Sequence, residues 1–151
     1  MLIRDHRIMT ERELNILLVE DDEVDVMNVR RALRRNQIQS PLFVAKNGLE
    51  GLAKLKSASG YPPEVPADRR MVLLDLNMPR MGGLEFLEAV REDPELKSTP
   101  VVVLTTSDDE YDRLQAYRLN VAGYILKPVK FANFADTMAA LAQYWSVCEM
   151  P

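Results

Sequence analysis

The sequence predicts an α/β domain in which helices cover both faces of a parallel β-sheet. Short apolar runs of strand length alternate five times with longer segments of helical periodicity. The run at 100–104 is apolar throughout, as is typical of a strand covered on both faces. The length of 151 residues fits one domain, and right-handed crossovers would connect its strands.

The first half of the chain contains two strand–helix units. The apolar run at 14–19 predicts a buried strand, and Asp22 or Glu23 then begins a helix with an apolar face. Residues 40–45 predict a second strand, and the turn at Asn47-Gly48 leads into a second helix.

The second half begins with a long predicted loop at 57–70, which contains one glycine and three prolines and has little periodicity. The remaining strands and helices are assigned by the same apolar patterns. The strands are predicted at 71–74, 100–104 and 122–126, and the helices at 84–92, from Asp108 or Asp109 to 118, and at 130–145. We divide the chain into a leader at 1–12, a domain at 13–145 and a tail at 146–151.

Composition excludes several classes of protein. The net charge of −4 argues against a nucleic-acid-binding domain. Cys148 is the only cysteine, so no intramolecular disulfide can form, and the single histidine, His6, excludes Cys/His zinc sites and serine-type triads. The charged start does not resemble a signal peptide, and no apolar run is long enough to cross a membrane. We therefore expect a cytoplasmic protein.

Polar residues follow four of the apolar runs. Glu20 and Asp21 end the first strand, Asp75 the third, Thr105 the fourth, and Lys127 follows the fifth. The carboxyl ends of parallel strands meet at one edge of the sheet, where ligands of such folds bind. Three carboxylates at one edge repel each other, and oxygen ligands of this kind suit Mg²⁺. With the metal bound, Asp75 could act as a nucleophile toward phosphorus, with Lys127 and Thr105 holding the phosphoryl oxygens.

Four segments of the chain resemble the receiver domains of two-component response regulators. They occur in the family's order and read LLVEDDE, LLDLNMPRMGGLEFL, VVVLTTS and GYILKPV. The resemblance extends from about Leu14 to Tyr144. It implies a flavodoxin-like (βα)5 three-layer sandwich with the parallel strands in the order 2-1-3-4-5.

The resemblance also implies roles for individual residues. Asp75 would accept a phosphoryl group from a phosphohistidine of a sensor kinase. Asp21 would bind magnesium directly, Glu20 through water, and Asn77 through its backbone carbonyl.

Three further roles come from the same resemblance. Tyr124 would be the switch aromatic that turns inward when Thr105 moves. The peptide bond between Lys127 and Pro128 is often cis in the family. Ser107, together with Asn77, occupies a position that tunes autodephosphorylation in the family, and we expect slow, spontaneous hydrolysis of the phosphoryl group on Asp75.

A narrower resemblance is to the single-domain regulators that partner phytochrome-type kinases. It rests on the loop before the third strand, the TTS segment and the C-terminal tail. Apolar residues in that tail favour a homodimer contact over an arm folded back on its own domain. The predicted interface comprises Tyr144, Trp145 and Val147.

The basic run Arg30, Arg31, Arg34 and Arg35 late in the first helix has two interpretations. It is either a solvated face near a helix C-terminus or a contact for the kinase, which docks on this helix in the family.

Two other functions were weighed against a phosphorylation switch that acts through protein contact. A phosphorylation-independent scaffold would be expected to lose an acid-pocket residue or the lysine, and all are present. A phosphoaspartate-type hydrolase would need a second Asp two residues beyond Asp75, where Asn77 stands.

Overall fold

A computed structural model describes residues 13–127 and 130–151, and within them five strands alternate with five helices. The strands are β1 Asn15–Val19, β2 Leu42–Ala45, β3 Arg70–Leu74, β4 Val101–Thr105 and β5 Gly123–Leu126. The helices are α1 Glu23–Arg35, α2 Gly48–Leu55, α3 Gly83–Glu92, α4 Glu110–Arg118 and α5 Phe131–Ser146. None of these helices is both long and apolar enough to cross a membrane. His6, the leader at 1–12 and Pro128 lie outside the described residues.

The five strands form one parallel sheet in the order β2-β1-β3-β4-β5. This confirms the predicted fold class and strand order. β1 pairs with β2 on one side and with β3 on the other, so the chain changes direction across the sheet between them. That change opens a cleft at the carboxyl ends of β1 and β3.

Two apolar cores lie on opposite faces of the sheet, because side chains alternate along each strand. In β1, Leu17 and Val19 face the core covered by α2, α3 and α4. Ile16 and Leu18 face the core covered by α1 and α5. The strands therefore hold their polar end residues on a rigid layer.

Side-chain caps begin three of the helices. The Asp22 carboxylate accepts hydrogen bonds from the first turn of α1, and the Asn47 side chain accepts one from Glu50 in α2. Asp109, rather than Asp108, caps α4. The predicted starts of α1 and α2 are thus explained by local hydrogen bonds.

The loop before β3 is organised around Arg70, which the sequence analysis assigned to the loop. Arg70 is instead the first residue of β3 and is buried. Its guanidinium donates to the carbonyl oxygens of Leu55, Val65 and Pro66 at 3.1, 2.7 and 3.3 Å. The charge is thereby satisfied inside the protein, and it ties the loop to the end of α2.

The C-terminal residues pack onto their own domain. Trp145 is only 9% exposed, and Cys148 and Met150 pack against the same core. The Arg69 guanidinium donates to the carbonyl oxygens of Trp145 and Cys148 at 2.7 and 3.0 Å. Trp145 therefore packs within its own domain, and its place at an interface stays a prediction. The ring fills space in the α1–α5 core, an apolar requirement that the sequence pattern alone did not distinguish from a partner contact.

Candidate functional site

Backbone hydrogen bonds place the polar residues at the edge of the sheet. The ladder continues one residue past three strands, because Glu20 N–H donates to Ala45 O and Asp75 N–H donates to Val19 O. Lys127 N–H donates to the carbonyl oxygen of Thr105 at 2.8 Å. The backbone of the residues that follow β1, β3 and β5 is thus fixed by the sheet, which sets where their side chains begin.

Three carboxylates converge in the cleft between β1 and β3. One oxygen atom from each of Glu20, Asp21 and Asp75 lies within 4.8 Å of the others. Glu20 and Asp75 are buried, at 2% and 5% exposure, whereas Asp21 is exposed. This grouping agrees with the residues chosen from the sequence.

The Lys127 ammonium lies inside this acidic cleft. Its Nζ is 2.5 Å from Glu20 Oε1, 2.7 Å from Asp25 Oδ2 and 3.8 Å from Asp75 Oδ1. The sequence analysis did not single out Asp25. An acid in the first turn of a helix is already accounted for by the helix dipole, so nothing in the local pattern marked it.

The electrostatics of the cleft are those of charges removed from water. Burial raises the pKa of the Glu20 carboxyl to about 7; the hydrogen bond from Lys127 opposes that rise and the charge of Asp75 adds to it. Burial by itself lowers the pKa of Lys127, but its hydrogen bonds to Asp25 and Glu20 and the charge of Asp75 raise it above the ordinary value. Lys127 therefore stays an ammonium and serves as a counter-charge in the cleft.

The chemistry of the carboxylates fits a divalent cation. Asp75 Oδ1 is buried and accepts no hydrogen bond from the described residues. A buried carboxylate oxygen without a donor is costly, and a cation would relieve that cost. Three hard oxygen donors with one exposed member suit a metal that keeps several waters. Glu20, Asp21 and Asp75 could hold such an ion.

Thr105 and Tyr124 are linked through one residue. Thr105 is fully buried at the end of β4, and its Oγ1 accepts a hydrogen bond from Ser107 N–H at 3.2 Å. The Tyr124 hydroxyl donates to the carbonyl oxygen of Ser107 at 2.9 Å, and the Ser107 hydroxyl donates to Asp112 in α4 at 2.7 Å. Burial raises the pKa of Tyr124, so the hydroxyl stays a donor.

The turn after Asp75 brings the start of α3 against the backbone of the site. A Cβ atom at position 83 would lie 2.5 Å from the carbonyl oxygen of Asp75 and 2.6 Å from the Cα of Leu76. Only glycine fits at this position. Asn77 is exposed in the same turn, and its role as a carbonyl ligand stays a prediction.

The basic run of α1 is divided between two surroundings. The Arg31 guanidinium lies 4.0 Å from the centre of the Phe131 ring and that of Arg35 lies 5.9 Å from it, so both support packing of α1 against α5. Arg30 instead lines a groove of about 310 Å³ beside Glu20 and Asp21. Part of the run therefore has a structural role.

The chain belongs to the response regulator receiver domain family, which it matches over residues 16–139. It is 35% identical over 130 residues to Response regulator Rcp1 of Synechocystis sp., covering 86% of this chain and 87% of Rcp1. It is also 35% identical over 130 residues to the probable methanogenesis regulatory protein FilR2 of Methanothrix harundinacea, covering 86% of this chain and 82% of that protein.

Solved structures give the same result. The phosphorylated cyanobacterial phytochrome response regulator RcpA superposes with a TM-score of 0.79 at 32% identity, covering 92% of this chain and 99% of RcpA. The Mn²⁺-bound form of Rcp1 superposes with a TM-score of 0.77 at 34% identity, covering 90% and 97%. The chain is thus a receiver-domain response regulator similar to phytochrome response regulators, and such domains are generally switches rather than enzymes.

Proposed function

We propose that this protein is a phosphorylation switch in which Asp75 accepts a phosphoryl group from a sensor histidine kinase, with Mg²⁺ held by Glu20, Asp21, Asp75 and the backbone carbonyl of Asn77. The observation that carries the proposal is the state of Asp75. Its Oδ1 is buried and accepts no hydrogen bond from the described residues, while two carboxylates and an ammonium stand beside it. A nucleophile needs this freedom, and phosphoryl transfer mainly needs positioning and charge neutralisation.

The proposed transfer is a displacement at phosphorus. An Asp75 oxygen forms a bond to phosphorus, the bond from phosphorus to the imidazole nitrogen of the phosphohistidine breaks, and that nitrogen keeps the electron pair. Lys127 and the Thr105 hydroxyl hold the phosphoryl oxygens. Bound Mg²⁺ supplies positive charge where negative charge accumulates.

A conformational change at the site would spread through the residues that follow Thr105. If the Thr105 hydroxyl turns toward the phosphoryl group, it gives up the hydrogen bond from Ser107 N–H. Ser107 also holds Tyr124 and Asp112, so the same movement reaches β5 and α4. Output would then occur by protein contact, with slow, spontaneous hydrolysis returning the switch to rest.

Phosphorylation is tested with acetyl phosphate and Mg²⁺, followed on a Phos-tag gel and by intact mass. Wild type should gain one phosphoryl group and Asp75→Asn none. Asp108→Asn, which changes an exposed acid, is the matched control and should behave as wild type. An unmodified wild type would favour the scaffold function, and turnover of a small phosphomonoester that needs Asp75 would favour a hydrolase.

The proposed kinase is of the phytochrome type. The similarity to RcpA, a cyanobacterial phytochrome response regulator, supports it. A purified phytochrome kinase and a light-independent kinase are each autophosphorylated and mixed with the protein. The phytochrome kinase should transfer its phosphoryl group to the protein faster. Faster transfer from the light-independent kinase would contradict the assignment.

We also propose a cytoplasmic homodimer, formed through the exposed side of α5. Tyr144 and Val147 remain 61% and 76% exposed, although Trp145 between them is buried. The double change Tyr144→Ser and Val147→Ser should lower the mass seen by light scattering to that of a monomer. An unchanged mass would place any dimer contact elsewhere, and a monomeric wild type would contradict the proposal.

A further inference from the structure

Asp25 binds the Lys127 ammonium, although it is not one of the three carboxylates that could hold a metal. The two side chains are 102 residues apart in sequence, yet Lys127 Nζ lies 2.7 Å from Asp25 Oδ2. The Lys127 side chain is 10% exposed and that of Asp25 is 32% exposed, so this pair is largely shielded from water. A hydrogen-bonded pair of this kind has a defined geometry, unlike an exposed surface ion pair.

Asp25 stands apart from the three grouped carboxylates. The oxygens that lie within 4.8 Å of one another come from Glu20, Asp21 and Asp75, and Asp25 is not among them. Its backbone is fixed in the first turn of α1, where its N–H donates to the capping Asp22 carboxylate. Asp25 is therefore a rigidly mounted anion whose visible partner is the lysine.

The Glu20 carboxylate, in contrast, accepts two hydrogen bonds. Its Oε1 accepts from Lys127 and its Oε2 accepts from Asp22 N–H. A divalent cation that engages Glu20 would draw this carboxylate away from Lys127 and would also repel the ammonium. Without a second anion, Lys127 would then lose its fixed position at the moment when the phosphoryl group needs it.

We propose that Asp25 is a positioning residue that keeps the Lys127 ammonium beside Asp75 while Glu20 turns to the metal. The inference rests on the proposed function, in which Asp75 accepts a phosphoryl group. Lys127 Nζ is already 3.8 Å from Asp75 Oδ1, so a phosphoryl oxygen on Asp75 can reach the third N–H of an ammonium that stays on Asp25. Asp25 holds the lysine in place for the transfer step and takes no part in bond making.

The first test observes the lysine without metal or phosphate. In ¹⁵N-labelled protein, the Lys127 Nζ–H signals should be visible because the bound ammonium exchanges slowly with water. Asp25→Asn should shift or broaden them, and Asp25→Glu should largely restore them. Glu23→Gln is the matched control, because Glu23 is a neighbouring first-turn acid that pairs with the exposed Lys46. Unchanged Lys127 signals in Asp25→Asn would overturn the proposal, whether or not Asp75 is ever phosphorylated.

The second test measures phosphorylation by acetyl phosphate. An Asp75 oxygen bonds to phosphorus while the bond from phosphorus to the acetate oxygen breaks, and acetate leaves with the electron pair. Asp25→Asn should slow this step roughly tenfold or more, because a catalytic group misplaced by about 1 Å can cost about a hundredfold in rate, and Asp25→Glu should recover part of the rate.

A double-mutant comparison separates positioning from general charge. In a Lys127→Met background the further change Asp25→Asn should leave the rate unchanged, because no ammonium remains to be held. An equal slowing in both backgrounds would overturn the positioning role. If wild type itself is not phosphorylated, the proposed function fails, and the lysine signals still decide the role of Asp25.

Discussion

Lys127 occupies the acidic cleft as its resident cation. Its ammonium contacts Glu20 and Asp25, and it is the positive charge within 4.0 Å of Asp75 among the described residues. A divalent ion held by Glu20 and Asp75 would share these carboxylates with the lysine, so the two cations would repel each other. In the absence of a metal, the Lys127 ammonium partly neutralises the carboxylates of the site.

Replacing Lys127 by Met should therefore tighten divalent cation binding. Removing one positive charge a few ångströms from the ion is expected to strengthen Mn²⁺ or Mg²⁺ binding roughly tenfold. Titration calorimetry measures the change. Lys97→Met, which removes an exposed lysine, is the control and should bind as wild type does. Weaker binding in Lys127→Met would show that the lysine supports the ion.

Arg70 offers a test of a buried charge outside the site. Arg70→Met removes the donor for three carbonyl oxygens, and the free energy of unfolding should fall by about 2 kcal/mol or more. Urea unfolding measures it. The exposed Arg118→Met should change the stability little, and an equal loss in both variants would mean that the buried hydrogen bonds do not matter.

The residues of the site were largely predictable, since each follows an apolar run and parallel strands bring such ends together. Glu20, Asp21, Asp75 and Lys127 do meet in the structure. Asp25 was not predictable, because its partner is distant in sequence and its own position has an ordinary explanation as a first-turn acid.

At the level of elements, α3 lies in close contact with the turn after β3. Gly83→Ala should force α3 away from Asp75 and Leu76 and cost about 1–3 kcal/mol of unfolding free energy. The neighbouring Gly82→Ala is the control, since a Cβ there would lie 3.7 Å from the carbonyl oxygen of Leu76, an ordinary contact distance. Thermal unfolding compares the two variants, and equal stabilities would contradict the close approach.

The elements themselves followed from apolar runs and capping residues, but their ends did not. β3 begins one residue early at Arg70, which pairs in register with Asn15. A charged residue in a buried strand is tolerated only because carbonyl oxygens from elsewhere receive it. Such acceptors are supplied by tertiary structure, and no local pattern contains them.

At the level of the whole molecule, the C-terminal residues complete the α1–α5 core. The sequence could not show this, because an apolar tail fits a partner surface and the protein's own core equally well. Tyr144 and Val147 kept the predicted exposure, whereas Trp145 turned inward. Whether a residue near the end of α5 is buried or exposed depends on which side of the helix it lies.

Trp145→Ala should consequently destabilise the whole domain. Truncating a buried tryptophan costs about 3–5 kcal/mol, so the midpoint of urea unfolding should fall markedly. Circular dichroism follows the transition. Val147→Ala, at an exposed position two residues further on, should leave the midpoint almost unchanged. A Trp145→Ala variant as stable as wild type would contradict the core role of the ring and favour a role at an interface.

The burial of Trp145 also provides an optical probe. It is the only tryptophan in the chain, and its indole N–H has no hydrogen-bond partner among the described residues. Its fluorescence should therefore peak at short wavelength in the native protein and shift to the red when α5 leaves the sheet. Because Asp75 lies at the opposite end of the strands from Arg69, which holds the tail, metal addition should leave this emission unchanged. A red shift on adding Mg²⁺ alone would reveal that the two ends of the sheet communicate.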